Sequence, residues 1–163
     1  MFLLRKTFKK ELYEHIKLRE GVKNIIYIDT LGKETGGVGH LLDATERKKF
    51  PVGTILKDSV VEDWLTDDIQ EALEACNSQC TILGVYDKDF KIALTSVNFQ
   101  LGTKWYRKFP NAWHCLCHKE YQEAIDELLY YNKEEEEYSL WYKQTPTRVK
   151  DFIKAIETIK ENM

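Results

Sequence analysis

Apolar positions along the chain fall into two periods, and the change from one to the other divides it into elements. Phe8, Leu12 and Ile16 recur every fourth residue, the spacing of one helix face, and the same row ends on an acid, Glu20. Gly21 follows as a stop signal. The run IIYID at 25–29 is β-branched and aromatic, DTLG at 29–32 has the Asp-first, Gly-last chemistry of a type I turn, and KETGGVGH at 33–40 resumes as a Gly-rich strand. A β-hairpin is predicted there. Val60, Val61, Trp64, Leu65, Ile69 and Leu73 then return to helical spacing in a long candidate helix, KDSVVEDWLTDDIQEALEAC. Further helices are predicted in KDFKIALTSVNFQL, in AWHCLCHKEYQEAIDELLYY and in TPTRVKDFIKAIETIKEN. The last is capped by Thr145, with Pro146 in its first turn and Val149, Phe152, Ile153, Ile156 and Ile159 along one face. The only clear strands lie between residues 22 and 41 and no repeat is present, so the fold class is α+β, mainly helical, with a small antiparallel sheet following the first helix.

Composition narrows the function more by exclusion than by suggestion. A chain of 163 residues with 43% apolar side chains supports a real core in a single domain or two small lobes. A net charge of -3 gives no general attraction to nucleic acid, although residues 1–20 carry six Lys or Arg against three Glu, and Glu134–Glu137 form an acidic block expected to be a solvated helix end or loop. No segment approaches the roughly 18 apolar residues of a membrane span, and MFLL before Arg5 and Lys6 is too short for a secretory signal, so no export signal of its own is expected. Cys76, Cys80, Cys115 and Cys117 are spaced C-x3-C and C-x-C, neither a zinc ribbon nor a redox pair, and are expected to be reduced thiols. The cluster HCLCH at 114–118 is read as buried Cys with flanking His; no metal site and no cofactor are expected.

Two acids stand where folding alone would not favour them. Glu20 ends a helix, where the dipole disfavours a carboxylate, and it also ends an apolar stripe, where partial desolvation favours the proton-carrying form that a general acid needs. Asp29 stands at the lip of a strand beside a polar turn, an environment that keeps it ionised. Two carboxyl groups in divergent environments are what glycoside hydrolysis requires. Taken singly, each also has a plain reading: Glu20 as a surface acid at a frayed helix end, Asp29 as the initiator of a turn. Arg148 adds a cation in the first turn of the last helix, against the dipole; packing of the first and last helices would let it meet Glu20.

The segment EGVKNIIYIDTLGKETGGVGHLL, from Glu20 to Leu42, together with NFQLG at 98–102, Phe109 and WYKQTPTR at 141–148, resembles the lysozymes of T-even bacteriophages, glycoside hydrolase family 24. The resemblance spans most of the chain. It implies that Glu20 protonates the leaving glycosidic oxygen while Asp29 and Thr35 hold the attacking water. The reaction implied is a single-displacement, inverting cleavage of the β-1,4 bond between N-acetylmuramic acid and N-acetylglucosamine in peptidoglycan. It further implies sugar contacts from Leu41 and Phe99, with Gln100 beside them, and a buried structural pair of His40 with Asp68, Asp67 being adjacent. That pair would raise the pKa of His40 and depress that of Asp68. The architecture implied is one lysozyme domain over 1–163: a small sheet-containing lobe at 22–58, a connecting helix at 59–80, and a helical lobe from 1–21 plus 81–163, with the cleft between lobes.

The same resemblance implies an endolysin that accumulates in a bacterial host's cytoplasm, acts as a monomer on the glycan strand, inserts in no membrane, binds no nucleic acid and depends on a holin for release. Several positions depart from the family's pattern. Arg19 and Asp151 look charge-exchanged and are expected to form a salt bridge. Gly36 replaces a bulkier residue and is expected to loosen the cleft floor at Thr35, while two sugar-contacting positions fall on Ala112 and near Glu135. These departures keep open a second reading, a catalytically weak or inactive lysozyme-like binding module.

Overall fold

The computed structural model describes residues 2–163, with side chains from Thr7 onward. In order, the elements are α1 (Phe2–Glu20), β1 (Lys23–Ile28), β2 (Glu34–Gly37), β3 (His40–Leu41), α2 (Ala44–Lys49), α3 (Asp58–Leu83), α4 (Lys88–Leu101), a 3₁₀ turn at Trp105–Arg107, α5 (Pro110–Cys117), α6 (Tyr121–Leu129), β4 (Tyr130–Asn132), β5 (Glu137–Tyr138), α7 (Leu140–Gln144) and α8 (Pro146–Glu161). Two compact units divide the chain at 1–71 and 72–163, so α3 begins in one and ends in the other. This division puts α1 in the same unit as the sheet.

In the first unit, α1 stops where Gly21 adopts φ +72° and its N–H donates to Lys17 O at 2.9 Å. β1, β2 and β3 form one antiparallel sheet in that order, pairing Tyr27 with Thr35 and Thr35 with Leu41. The Gly-rich segment is therefore two strands rather than one. The turn between them is held at Gly37 and Gly39, both with positive φ. Beyond the other edge of β1, Ile26 and Asn24 exchange backbone hydrogen bonds with the 53–56 segment.

Gly36 does not loosen this sheet. A β-carbon there would stand 2.7 Å from Ile26 Cδ1, 3.0 Å from Leu56 Cδ1 and 3.5 Å from Trp64, because those three side chains already fill the volume a larger residue would take.

The second unit is a helical core around Phe90, Trp105 and Phe152, with the Trp105 ring edge-on to both Phe152 and Trp113. Inside it, Gln79 and Asn98 exchange two side-chain hydrogen bonds of 2.8 and 2.9 Å, and Gln79 Oε1 also accepts from Trp105 Nε1 at 3.2 Å. Every polar atom of this buried network has a partner, which is the condition for such a network to stabilise rather than cost.

Three local expectations are corrected here. The helix expected over 112–131 is two helices, because Lys119 takes φ 59° between them. The acidic block is neither a helix end nor a plain loop but the turn of a β4–β5 hairpin, clasped by Tyr130 stacked on Tyr138 at 5.4 Å. Thr145 does not cap α8 with its side chain; its hydroxyl donates to Trp141 O and accepts from Gln100 Nε2. Cys76 and Cys80 are buried with sulfurs 3.8 Å apart, while Cys115 and Cys117 are only half-buried.

Candidate active site

The turn after β1 is built by Asp29. Its Oδ1 accepts the N–H groups of Leu31 at 2.9 Å and Lys33 at 2.8 Å, and its carbonyl accepts from Gly32 N at 3.0 Å. The carboxylate is thus fixed by the backbone through one oxygen, and Oδ2 is left facing Thr35 Oγ1 at 3.5 Å. The Thr35 hydroxyl has a single proton and a shorter bond to Lys33 O, 3.2 Å, so a rotation about its C–O bond redirects the one O–H donor from one acceptor to the other. Thr35 is 5% exposed.

Glu20 arrives from the end of α1. Its Oε2 lies 3.1 Å from where a β-carbon on Gly39 would stand, and the φ of +66° at Gly39 favours glycine there.

Tyr27 ties the two acids together. Burial raises its phenol pKa first, and the negative charges of Asp29 and Glu20 raise it further, so one side chain feels both carboxylates. Lys23 Nζ stands 4.2 Å from the centre of the same ring. Nothing in the sequence singled out Tyr27; its pairing opposite Thr35 is the signal that would have, once the hairpin register is fixed.

His40 is the hub behind the sheet. Nδ1 is 2.6 Å from Asp68 Oδ2, Nε2 is 3.0 Å from both oxygens of Glu46, and the ring stacks on Trp64 at 4.3 Å. The partner on α3 is Asp68, with Asp67 on an exposed position. Glu46 is an addition that the sequence did not suggest. Burial pulls the His40 pKa down, but the hydrogen bonds and charges of Asp68 and Glu46 outweigh it and the net shift is upward.

The remaining sequence candidates have definite places. Leu41 is 51% exposed on β3 across from Thr35. In the second unit Phe99 is half-buried, and the Gln100 amide is engaged at both ends, accepting from Trp141 Nε1 at 3.0 Å and donating to Thr145 Oγ1 at 3.1 Å. Arg148 is 8% exposed and donates through Nη2 to the carbonyl and hydroxyl of Ser96. Ala112 is buried and Glu135 lies exposed on the hairpin turn.

This hairpin of carboxylate, hydroxyl and glycines lies within a wider match: the sequence profile of the phage lysozyme family fits residues 17–144. The chain belongs to the phage lysozyme family. It is similar to two proteins of Dictyostelium discoideum, probable T4-type lysozyme 2, 29% identical over 90% of this chain and 94% of the relative, and probable T4-type lysozyme 1, 26% identical over 88% and 91%. The α+β architecture, helical with a small antiparallel sheet, is the fold of this family. The chain is accordingly a lysozyme-type glycoside hydrolase.

Proposed function

We propose that the chain cleaves the β-1,4 bond between N-acetylmuramic acid and N-acetylglucosamine in peptidoglycan by single displacement. Glu20 donates a proton to the leaving oxygen, and the free Oδ2 of Asp29, with the Thr35 hydroxyl beside it, takes up and orients the water that attacks the opposite face of the sugar. The observation that carries this reading is the pinning of Asp29 through Oδ1 alone, which leaves the second oxygen beside the Thr35 hydroxyl, while Tyr27 senses both acids. Leu41 of the first unit and Phe99 of the second offer apolar contact to the saccharide; Gln100 serves as a brace between Trp141 and Thr145.

The biological setting we propose is lysis of a bacterial cell from inside, the enzyme accumulating in the host cytoplasm as a monomer and reaching the wall through a holin-type membrane lesion. Among the described residues no helix is long and apolar enough to cross a membrane.

The test compares wild type with Glu20→Gln on purified peptidoglycan, following new reducing ends and their first anomeric form. The variant is expected to lose at least about 10²-fold in rate, and the wild-type product to appear in the α configuration. Equal rates would remove Glu20 as the acid; a β product would remove the single displacement.

A further inference from the structure

The motif HCLCH at 114–118 has no part in the reaction proposed above, and from its spacing alone no metal site is expected there. The folded chain nevertheless brings its two imidazoles together. His114 lies in the last turn of α5 and His118 caps that helix one turn further along the same face, where β-carbons of residues at this spacing stand about 5–6 Å apart. The ring centres are 4.2 Å apart, and both residues are exposed. His118 Nδ1 lies 2.8 Å from the His114 carbonyl oxygen. A carbonyl only accepts, so Nδ1 carries the proton in that bond and the lone pair of the neutral ring is on Nε2. Metal-bound imidazoles have this arrangement, with one nitrogen held by a backbone carbonyl or similar acceptor and the other ligating. Among the described residues no hydrogen bond engages either nitrogen of the His114 ring.

Neither cysteine of the motif enlarges the pair. Burial first, and then the charges of Glu120, Glu127 and Glu123 with a hydrogen bond to Glu120, hold the Cys115 thiol protonated, and burial raises the Cys117 thiol as well. Among the described residues no cluster of three or more His, Cys, Asp or Glu is placed to hold a metal, so an ion here takes two imidazoles from the chain and the rest of its shell from solvent. Two imidazoles suit a late first-row divalent ion, with copper(II) bound most tightly, and give little to magnesium or calcium, which prefer oxygen. The end of α5 favours a cation too, because its last carbonyls carry the negative pole of the helix dipole. We propose that His114 and His118 form a bidentate site for copper(II), nickel(II) or zinc(II) that clamps the last turn of α5, just before Lys119, at φ 59°, leads the chain into α6. The unfolded chain does not hold the two rings at this spacing, so the ion binds the folded form and stabilises it.

The test titrates zinc chloride into the untagged, isotope-labelled full chain and follows the ring-nitrogen resonances of its four histidines. Shifts are expected at Nε2 of His118 and at one nitrogen of His114, with Nδ1 of His118 keeping its proton and His15 and His40 unmoved. Calorimetry with nickel chloride measures the chelate itself. His114→Asn and His118→Asn should each weaken binding at least about tenfold, and the double substitution should add little to either, because a chelate is lost with its first arm. Replacing Cys115 and Cys117 together by serine should leave the affinity unchanged; if that variant fails to fold, the histidine resonances of the wild type decide between imidazole and thiol. Shifts confined to His15 or His40, an affinity that survives either histidine substitution, an affinity lost with the thiols, or no shift up to millimolar zinc would each overturn the site.

Discussion

His40 shows how much a single residue depends on what surrounds it. With Asp68 on one ring nitrogen and Glu46 on the other, the imidazolium is the favoured form, and its folded pKa is raised above the unfolded value near 6.5. A raised basic pKa contributes stability that is full below the unfolded value and is lost as pH rises through the folded one. The stability difference between wild type and His40→Asn should therefore be largest just below pH 6.5 and shrink toward alkaline pH, as urea melts at several pH values would record. A pH-independent difference would reduce His40 to a packing role against Trp64. Gly36 makes a complementary case. Its α-hydrogen faces atoms of Ile26 and Leu56 that are themselves buried, so Gly36→Ala is expected to lower stability by about 1–3 kcal/mol through overpacking, measured by thermal or urea unfolding.

At the scale of elements, the short helix α2 exists because of its start. Asp43 accepts from Glu46 N at 2.8 Å and Glu46 Oε1 accepts from Asp43 N at 3.0 Å, a complete capping box on a helix with no buried residue of its own. Since Glu46 also meets His40, the box connects α2 to the sheet. Asp43→Ala should cost about 1 kcal/mol. Glu46→Gln keeps an oxygen for the box but removes a charge, so it should bring the His40 titration, followed by NMR, down from its wild-type value. An unmoved titration would leave Asp68 alone responsible. The same scale explains what periodicity missed: α2 offers no apolar face to detect, and the β4–β5 hairpin is held by tyrosine stacking and turn geometry, which a hydrophobic count reads as the tail of a helix.

Across the whole molecule, stability rests on networks that no segment makes alone. Gln79 from α3, Asn98 from α4 and Trp105 from the following turn satisfy one another in the second unit. Gln79→Leu would leave the Asn98 amide oxygen and the Trp105 indole N–H without partners, and should cost about 2–4 kcal/mol in global unfolding, far more than any exposed substitution on α3. A loss under about 1 kcal/mol would mean that water replaces the lost bonds.

The sequence by itself determined the periods of the major helices, the hairpin between 22 and 41, the acids Glu20 before it and Asp29 in its turn, and the family to which they belong, because these depend on residue type and spacing within a short reach. Helix α4 coincides with its pattern end to end for that reason. Tertiary structure decided the rest: that Tyr27 feels both acids, that Gly36 is a packed position, and that Gln100 is spent on Trp141 and Thr145. Each of these is set by which distant side chain occupies a given volume and which hydrogen-bond groups reach one another once the chain is packed, and a spacing rule along one strand or helix carries no information about either.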